Sequence, residues 1–211
     1  MELAEAMTTQ RAVRRVKPEP VDDDVLKKIL GLAIKAPTGS NAQNWEWIVV
    51  RDPKVKAKLA KQYRSAWSLY GRAGRRVKRD EPKTLRIMDA VQWQVDNFED
   101  IPVMIVACLK EGWIPKFPWI YRSSRYGSIY PAVQNLLLAA RAEGLGAALT
   151  TLPLWNRIAA YRILGLPRSV EPIAVIPLGW PIGRYGPTTR RPVEEVTSID
   201  RFGNRAWKAG A

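Results

Sequence analysis

The run Ile129-Tyr-Pro-Ala-Val-Gln-Asn-Leu-Leu-Leu-Ala-Ala-Arg-Ala-Glu-Gly144-Leu-Gly-Ala-Ala-Leu-Thr-Thr151 decides how the chain is read. Ile129, Ala132, Val133, Leu136, Leu137 and Ala140 recur at helical spacing, and Gly144 stands where a left-handed C-cap belongs. Ala147 to Thr151 follows as a short strand. The alternation continues downstream, with a helix over Asn156 to Leu164 closed by Gly165 and Pro167, then a buried strand from Ile173 to Leu178. From Pro181 the chain is rich in Gly, Pro and Arg and has too little hydrophobic period to fold back by itself. Such a tail suits the surface of a partner chain.

Upstream, Asp22-Asp23-Asp24 opens a helix, because carboxylates suit the positive end of the helix dipole. Val25, Ile29, Leu32, Ala33 and Ala36 share its face until Pro37 stops it. Glu46 to Arg51 reads as a strand, and Asp52-Pro53 turns the chain into a basic amphipathic helix to about Tyr70. Residues 71–84 are rich in Gly, Arg and Lys and read as an exposed excursion. A helix near 85–98 and a buried strand from Val103 to Leu109 follow. Gly112 to Tyr126 is aromatic and proline-bearing, has no clear period, and reads as a second excursion. The expectation is one α+β domain over residues 1–211, with helices covering a sheet of about four strands.

The 211 residues carry 34 Lys and Arg against 20 Asp and Glu, for a net charge of +14, and 46% are hydrophobic. That composition builds a core and is not that of a disordered chain. Histidine is absent, which removes His-based metal sites, Ser-His-Asp and Cys-His nucleophiles and imidazole acid–base chemistry. Cys108 is alone, so there is no internal disulfide or Cys-x-x-Cys pair. The longest stretch without a charge, Tyr126 to Ala140, is 15 residues, short of the roughly 20 that span a bilayer. The acidic start Met1-Glu-Leu-Ala-Glu-Ala does not read as a secretory leader. A soluble, cytoplasmic protein without a membrane span is expected.

No carboxylate pair stands out, and there is neither a Gly-x-Gly-x-x-Gly after a strand nor a Walker-type loop. An enzyme built from these residues would hold and polarise a cofactor that carries the reactive atom. Three segments could do so. Gln10-Arg11-Ala12-Val13-Arg14-Arg15 offers two guanidinium groups three residues apart, suited to a phosphate or a carbonyl-rich ring, or else a solvated basic face. Ala36-Pro37-Thr38-Gly39-Ser40-Asn41-Ala42-Gln43-Asn44-Trp45 is dense in small hydrogen-bonding groups, and reads as a ligand loop or an ordinary turn. Gly144 to Thr151 allows close backbone approach and brings two hydroxyls to a strand end; alone it reads as a C-cap and core strand.

Taken in order, these pieces resemble the FMN-dependent nitroreductase superfamily over nearly the full chain. The resemblance rests on the Arg11-x-x-Arg14 start, Ala36 to Trp45, and Ala132 to Gly146. It continues through Leu164-Gly165-Leu166-Pro167, Pro172 to Pro181, and Arg190-Arg191-Pro192-Val193-Glu194-Glu195-Val196. It implies an α+β fold with a mostly antiparallel sheet, a homodimer whose C-terminal tail (181–211) is exchanged, and two FMN sites at the interface. By the same resemblance Arg11 and Arg14, with the backbone around Gln10 and Ala12, hold the phosphate, ribityl and pyrimidine edge. Pro37, Thr38, Gly39, Ser40, Asn41 and Gln43 reach the flavin from the second subunit. Leu149, Thr150 and Thr151 line the ring, and Arg190 closes on the phosphate. No metal is implied.

The family opening is commonly Arg-Arg-Ser-x-Arg, whereas Gln10-Arg11-Ala12-Val13-Arg14 lacks one guanidinium and one hydroxyl. Thr188 stands where a lysine often precedes the closing arginine. Trp113, Phe117, Trp119 and Tyr121 match no family motif and suit a substrate-facing cover, or a hydrophobic loop packed on the dimer. The implied activity is hydride passage from NAD(P)H through FMN to an electron-poor acceptor such as a nitroaromatic or quinone. Alternatives are reductive dehalogenation or flavin-consuming chemistry in the same fold. A nucleic-acid-binding module is motivated by the basic 72–86 stretch, which lacks stacking aromatics; no specific nucleic-acid partner is expected.

Overall fold

The computed structural model describes residues 1–77, 80–110, 118–205 and 207. In chain order the elements are α1 (Leu3–Thr9), α2 (Asp23–Ala33), β1 (Trp45–Val50), α3 (Pro53–Val77), α4 (Pro82–Asp96), β2 (Val103–Lys110) and α5 (Pro118–Ala142). They continue with β3 (Gly146–Ala147), α6 (Arg157–Leu164), β4 (Val170–Gly179) and α7 (Val193–Val196). The four strands form one antiparallel sheet in the order β1-β2-β4-β3. The α+β architecture and strand count match the sequence reading.

β2 lies between two strands and is covered on both faces, so its apolar residues run continuously instead of alternating with polar ones. Val103, Ile105, Ala107 and Leu109 face α2 and α5; Met104, Val106 and Cys108 face α3 and α4. The β2–β4 register shifts between Ala107 and Cys108, where Pro172, which has no N–H for a ladder, pairs with Cys108. The helix over Asn156 to Leu164 is found as read. Asn156 accepts the Ala159 N–H at 3.1 Å, and Gly165 closes the helix at φ +65°.

Three readings are corrected. The excursion at 71–84 is helical over most of its length: α3 runs on through Gly71 and Gly74 to Val77, and α4 begins at Pro82. Those glycines are contact points, not breaks. A Cβ on Gly71 would lie 2.7 Å from the Trp67 ring, and one on Gly74 would lie 2.8 Å from Met88, which joins α3 to α4. The second excursion ends at Pro118, where α5 starts eight residues before Tyr126. Proline suits a first helical turn, and the opening of α5, with Arg122, Ser123, Ser124 and Arg125 following its aromatic residues, carries no apolar period before Ile129 to reveal it. Finally, the strand expected over Ala147 to Thr151 forms a ladder only at Gly146 and Ala147, followed by a single bridge from Thr150 to Val175. Pro177 accepts the Ala148 N–H at 3.3 Å and has none to give back, so the ladder breaks there.

Candidate functional site

The residues before α2 form an extended arm against the open edge of the sheet. Val13 N–H donates to Ala147 O at 3.0 Å, Lys17 N–H to Trp180 O at 2.7 Å, and Ile182 N–H to Arg15 O at 3.1 Å. Gly146 makes this approach possible, since a Cβ there would meet Val13 at 2.7 Å. Gly144, at φ +80°, supplies the left-handed turn out of α5. The glycine run of the decisive segment therefore serves to seat the arginine arm.

That arm separates two clefts. A larger one of about 560 Å³ lies between α3 and α4, walled by Trp67, Tyr70, Ile87, Met88 and Val91 and floored by Leu149, Thr150, Thr151 and Leu152. Arg14, Tyr63 and Gln94 bring polar groups to it. A smaller one of about 180 Å³ is bounded by Arg11, Ala12, Arg14, Arg15, Arg184 and Tyr185. Arg14 belongs to both. Tyr185 is fixed there by donating its hydroxyl to Leu145 O and by the Arg141 guanidinium 4.0 Å from its ring centre. A broader depression of about 750 Å³ beside α6 holds none of the candidate site residues, and its Arg157 faces Glu171 and the Tyr161 hydroxyl.

The polar groups of the larger cleft are unevenly satisfied. Tyr63 is buried and donates its hydroxyl to Gln94 Oε1 at 3.3 Å. Burial raises its pKa above the usual phenol value, offset in part by a hydrogen bond with Thr150 and by the charge of Arg14. Arg14 is half-buried, and burial lowers its pKa; the nearby Tyr63 acts the other way. Gln94 is 1% exposed, and its Nε2 has no hydrogen-bond partner among the described residues. A buried amide donor left in that state costs about 1–3 kcal/mol.

Charge pairing tells the same story. Most half-buried arginines here have a carboxylate, as Arg125 has Glu171 at 2.8 Å and Arg75 has Asp89 at 2.8 Å. Half-buried Arg14 has no carboxylate among the described residues, nor have the exposed Arg11, Arg15 and Arg184 around the smaller cleft. Four guanidinium groups around a small cleft, next to an aromatic-walled one, suit a ligand with a phosphate at one end and a planar polar ring at the other.

The structure thus gathers Arg11, Ala12, Arg14, Leu149, Thr150 and Thr151. Gln10 ends α1, its N–H donating to Ala6 O at 2.8 Å, and lines neither cleft. Pro37 to Gln43 lies elsewhere, pinned to α5 by the Gly39 N–H to Ser128 Oγ at 3.2 Å and, just beyond, the Trp45 Nε1–H to Ser128 O at 3.0 Å. Ser40, Asn41 and Gln43 all have left-handed backbones, with φ near +50°. Arg190 is exposed and donates only to Thr189 O at 2.9 Å. Trp119 and Tyr121 fall on the first two turns of α5, while Trp113 and Phe117 lie outside the described residues. Sequence reasoning missed Tyr63 and Gln94. Each is a polar group inside the apolar stripe of its helix, a pattern that points to a site only once its neighbours are known.

Comparison with known proteins agrees with this geometry. The family model described as "Nitroreductase family" matches residues 7–180. A Methanothermobacter thermautotrophicus protein provisionally named NADH dehydrogenase/NAD(P)H nitroreductase is 30% identical over 190 residues, covering 88% of this chain and 81% of its own. An iodotyrosine deiodinase of Nematostella vectensis is 25% identical over 198 residues, covering 92% and 74%. The crystal structure of a provisionally named nitroreductase from Desulfovibrio desulfuricans, in complex with FMN, superimposes with a TM-score of 0.72 at 24% identity, over 96% of this chain and 98% of that one. An arginine arm seated on a glycine-lined sheet edge, in a chain matched over residues 7–180, has one reading: this protein belongs to the nitroreductase family.

Proposed function

We propose that the chain is an FMN-dependent oxidoreductase that takes reducing equivalents from NAD(P)H and delivers them to a small electron-poor acceptor such as a nitroaromatic or quinone. The observation that carries this reading is Arg14, half-buried, without a carboxylate, and shared between the two clefts. The donor set fits FMN. Arg11, Arg15 and Arg184 would take the phosphate in the smaller cleft, and the aromatic walls of the larger one would flank the ring. Bound there, FMN supplies the centre that accepts and returns a hydride. Arg14 would hold the negative charge that reduction places on the polar ring edge, in surroundings where a charge is worth more than in water. Gln94 Nε2 would donate to a ring acceptor, with Tyr63 holding its Oε1 and so fixing which end of the amide faces the cleft. The absence of histidine is no obstacle, because no side chain need shuttle the hydride.

The loop Pro37 to Gln43 and Arg190 would be brought to the site by a second copy of the chain. The α7 region supports this: Val193, Val196 and Trp207 are exposed, and Phe202 is 98% exposed. Residues 181–188 are tied to their own chain, Thr188 N–H donating to Thr8 O at 2.8 Å, so the exchanged part of the tail would begin at Thr189. A visible spectrum of the purified protein tests the core of the reading. Flavin absorbance with released FMN near one per chain is expected; a colourless protein that takes up no added FMN overturns it.

A second reading is reductive dehalogenation, favoured by the match to a relative named iodotyrosine deiodinase. Halide release from a halophenol by the reduced protein, set against turnover of a quinone, separates the two.

A further inference from the structure

The smaller cleft has two walls that are remote in sequence. The arginine arm, Arg11 to Arg15, makes one, and residues 181–185 make the other, with Ala90 of α4 completing the lining. The second wall has an irregular backbone, yet the segment that carries it is fastened at three points. At its start Pro181 bridges Val16, and Ile182 N–H donates to Arg15 O at 3.1 Å. At its end the N–H and the hydroxyl of Thr188 both donate to Thr8 O, at 2.8 and 3.1 Å. Between these, Tyr185 donates its hydroxyl to Leu145 O, and its ring centre lies 4.0 Å from the Arg141 guanidinium. Arg141 is itself held: its Nε donates to Thr9 Oγ1 at 2.9 Å, Glu5 lies 3.9 Å away, and its side chain is only 12% exposed. Taking a guanidinium largely out of water to meet a ring costs desolvation. Arg141 lines neither cleft, so what it holds is Tyr185. Tyr185 in turn fixes its neighbour Arg184, which is exposed, has no carboxylate among the described residues and lines the smaller cleft.

We propose that residues 181–188 form a strap whose Tyr185–Arg141 clamp positions Arg184 to grip the phosphate of the bound ligand, in the same chain that supplies Arg11 and Arg15. Gly183 and Gly186 flank the Arg184–Tyr185 pair and lend it no stiffness of their own, so the clamp has that task. A guanidinium on an unanchored tail would lose conformational freedom on binding; one already held at the cleft loses less. The strap therefore serves selectivity: it favours a phosphorylated ligand over its dephosphorylated form, with Tyr185 and Arg141 as positioning residues. The inference rests on the reading of the two clefts as a site for FMN.

The test compares the affinities of FMN and riboflavin, which share the ring and differ by the phosphate. Both are titrated against the flavin-free full chain at one salt concentration and followed by flavin fluorescence. Arg184→Ala, at an exposed position, should weaken FMN about tenfold or more and leave riboflavin unchanged. Tyr185→Ala should reproduce most of that selective loss, and Tyr185→Phe, which keeps the ring on Arg141, should give an intermediate one. The double variant Arg184→Ala with Tyr185→Ala should lose no more than Arg184→Ala alone, because the clamp then has nothing to position. Equal weakening of FMN and riboflavin in both Tyr185 variants would make the clamp merely structural. Losses that multiply in the double variant would show that Tyr185 does not act through Arg184. Either result overturns the proposal, as does an FMN affinity that Arg184→Ala leaves unchanged; all three leave the FMN reading standing. A parent that binds neither flavin overturns that reading, and the proposal with it.

Discussion

Arg14→Met separates a structural arginine from a ligand-binding one, because the two roles predict opposite signs. Methionine keeps an unbranched apolar stem of similar reach and removes only the charge. In the protein without ligand, Arg14 is half-buried, burial is the dominant influence on its ionisation, and the nearby polar hydroxyl of Tyr63 offsets it only in part. Removing the guanidinium should therefore leave the ligand-free protein as stable or more stable, and in a chain this size each kcal/mol moves Tm by about 2–4 °C. Binding of FMN should move the other way. A charge-assisted hydrogen bond is worth about 1.5–3 kcal/mol, which is roughly a 10- to 150-fold rise in Kd. Titration of both apoproteins with FMN at one salt concentration, followed by flavin fluorescence, gives the affinity; thermal unfolding without FMN gives the stability. A variant with lower Tm and unchanged Kd would show that Arg14 is a structural residue and refute its place in the site.

Gln94→Leu should show the same division on a smaller scale: the orphaned amide disappears, ligand-free stability holds or rises, and FMN binds about five- to tenfold more weakly. Equal affinity would remove Gln94 from the site. A chain ending at Thr189 should lose both FMN and its dimer, and one that stays dimeric by sedimentation and binds FMN would end the exchanged-tail reading. Burial first, then the charge of Glu46, pushes the Cys108 thiol up from 9.0 to about 12. The folded state thus holds that proton more tightly than the unfolded one, so this contribution to stability is complete below pH 9 and is lost as pH rises toward 12. Denaturant midpoints across that window should fall less steeply in Cys108→Ala, and native protein should resist thiol reagents near neutral pH; rapid labelling would contradict the burial.

Elements were legible where one side of the chain meets the core and the other meets water. α2 carries an apolar stripe behind an acidic first turn, α6 a stripe with a cap at Asn156, and β2 is an uninterrupted apolar run, so pattern alone locates them. The failures share a cause. The end of α3 hides behind two glycines that exist for Trp67 and Met88, partners remote or unrecognisable in a one-dimensional pattern. The start of α5 hides because Arg122, Ser123, Ser124 and Arg125 interrupt any apolar period before Ile129. The shortened β3 depends on which residue of β4 faces it, and only the register shows that Pro177 does. In the site, the arginine arm and the threonine floor were legible as motifs. Tyr63 and Gln94 were not, because a polar residue in an apolar stripe has meaning only once its neighbours are known.

What one chain leaves unassembled is itself informative. Ser40, Asn41 and Gln43 hold left-handed backbones, a conformation that costs non-glycine residues of order 1–3 kcal/mol each and persists where surroundings enforce it. The surroundings here are Ser128 and Trp45, which pin the loop to α5, and Thr38 Oγ1, which accepts the Gln43 N–H at 3.1 Å. Yet the loop serves neither cleft of its own chain, and Arg190 contacts only the carbonyl beside it. A loop held in strained form by specific contacts, and an arginine without a carboxylate on a tail with a fully exposed phenylalanine, are poorly accounted for by the isolated chain. Both gain a purpose if the site is completed across a pair of molecules. On that reading the strain is borne where one chain presents its loop to the other's cleft, and the arm of Arg11 and Arg14 is half of the site.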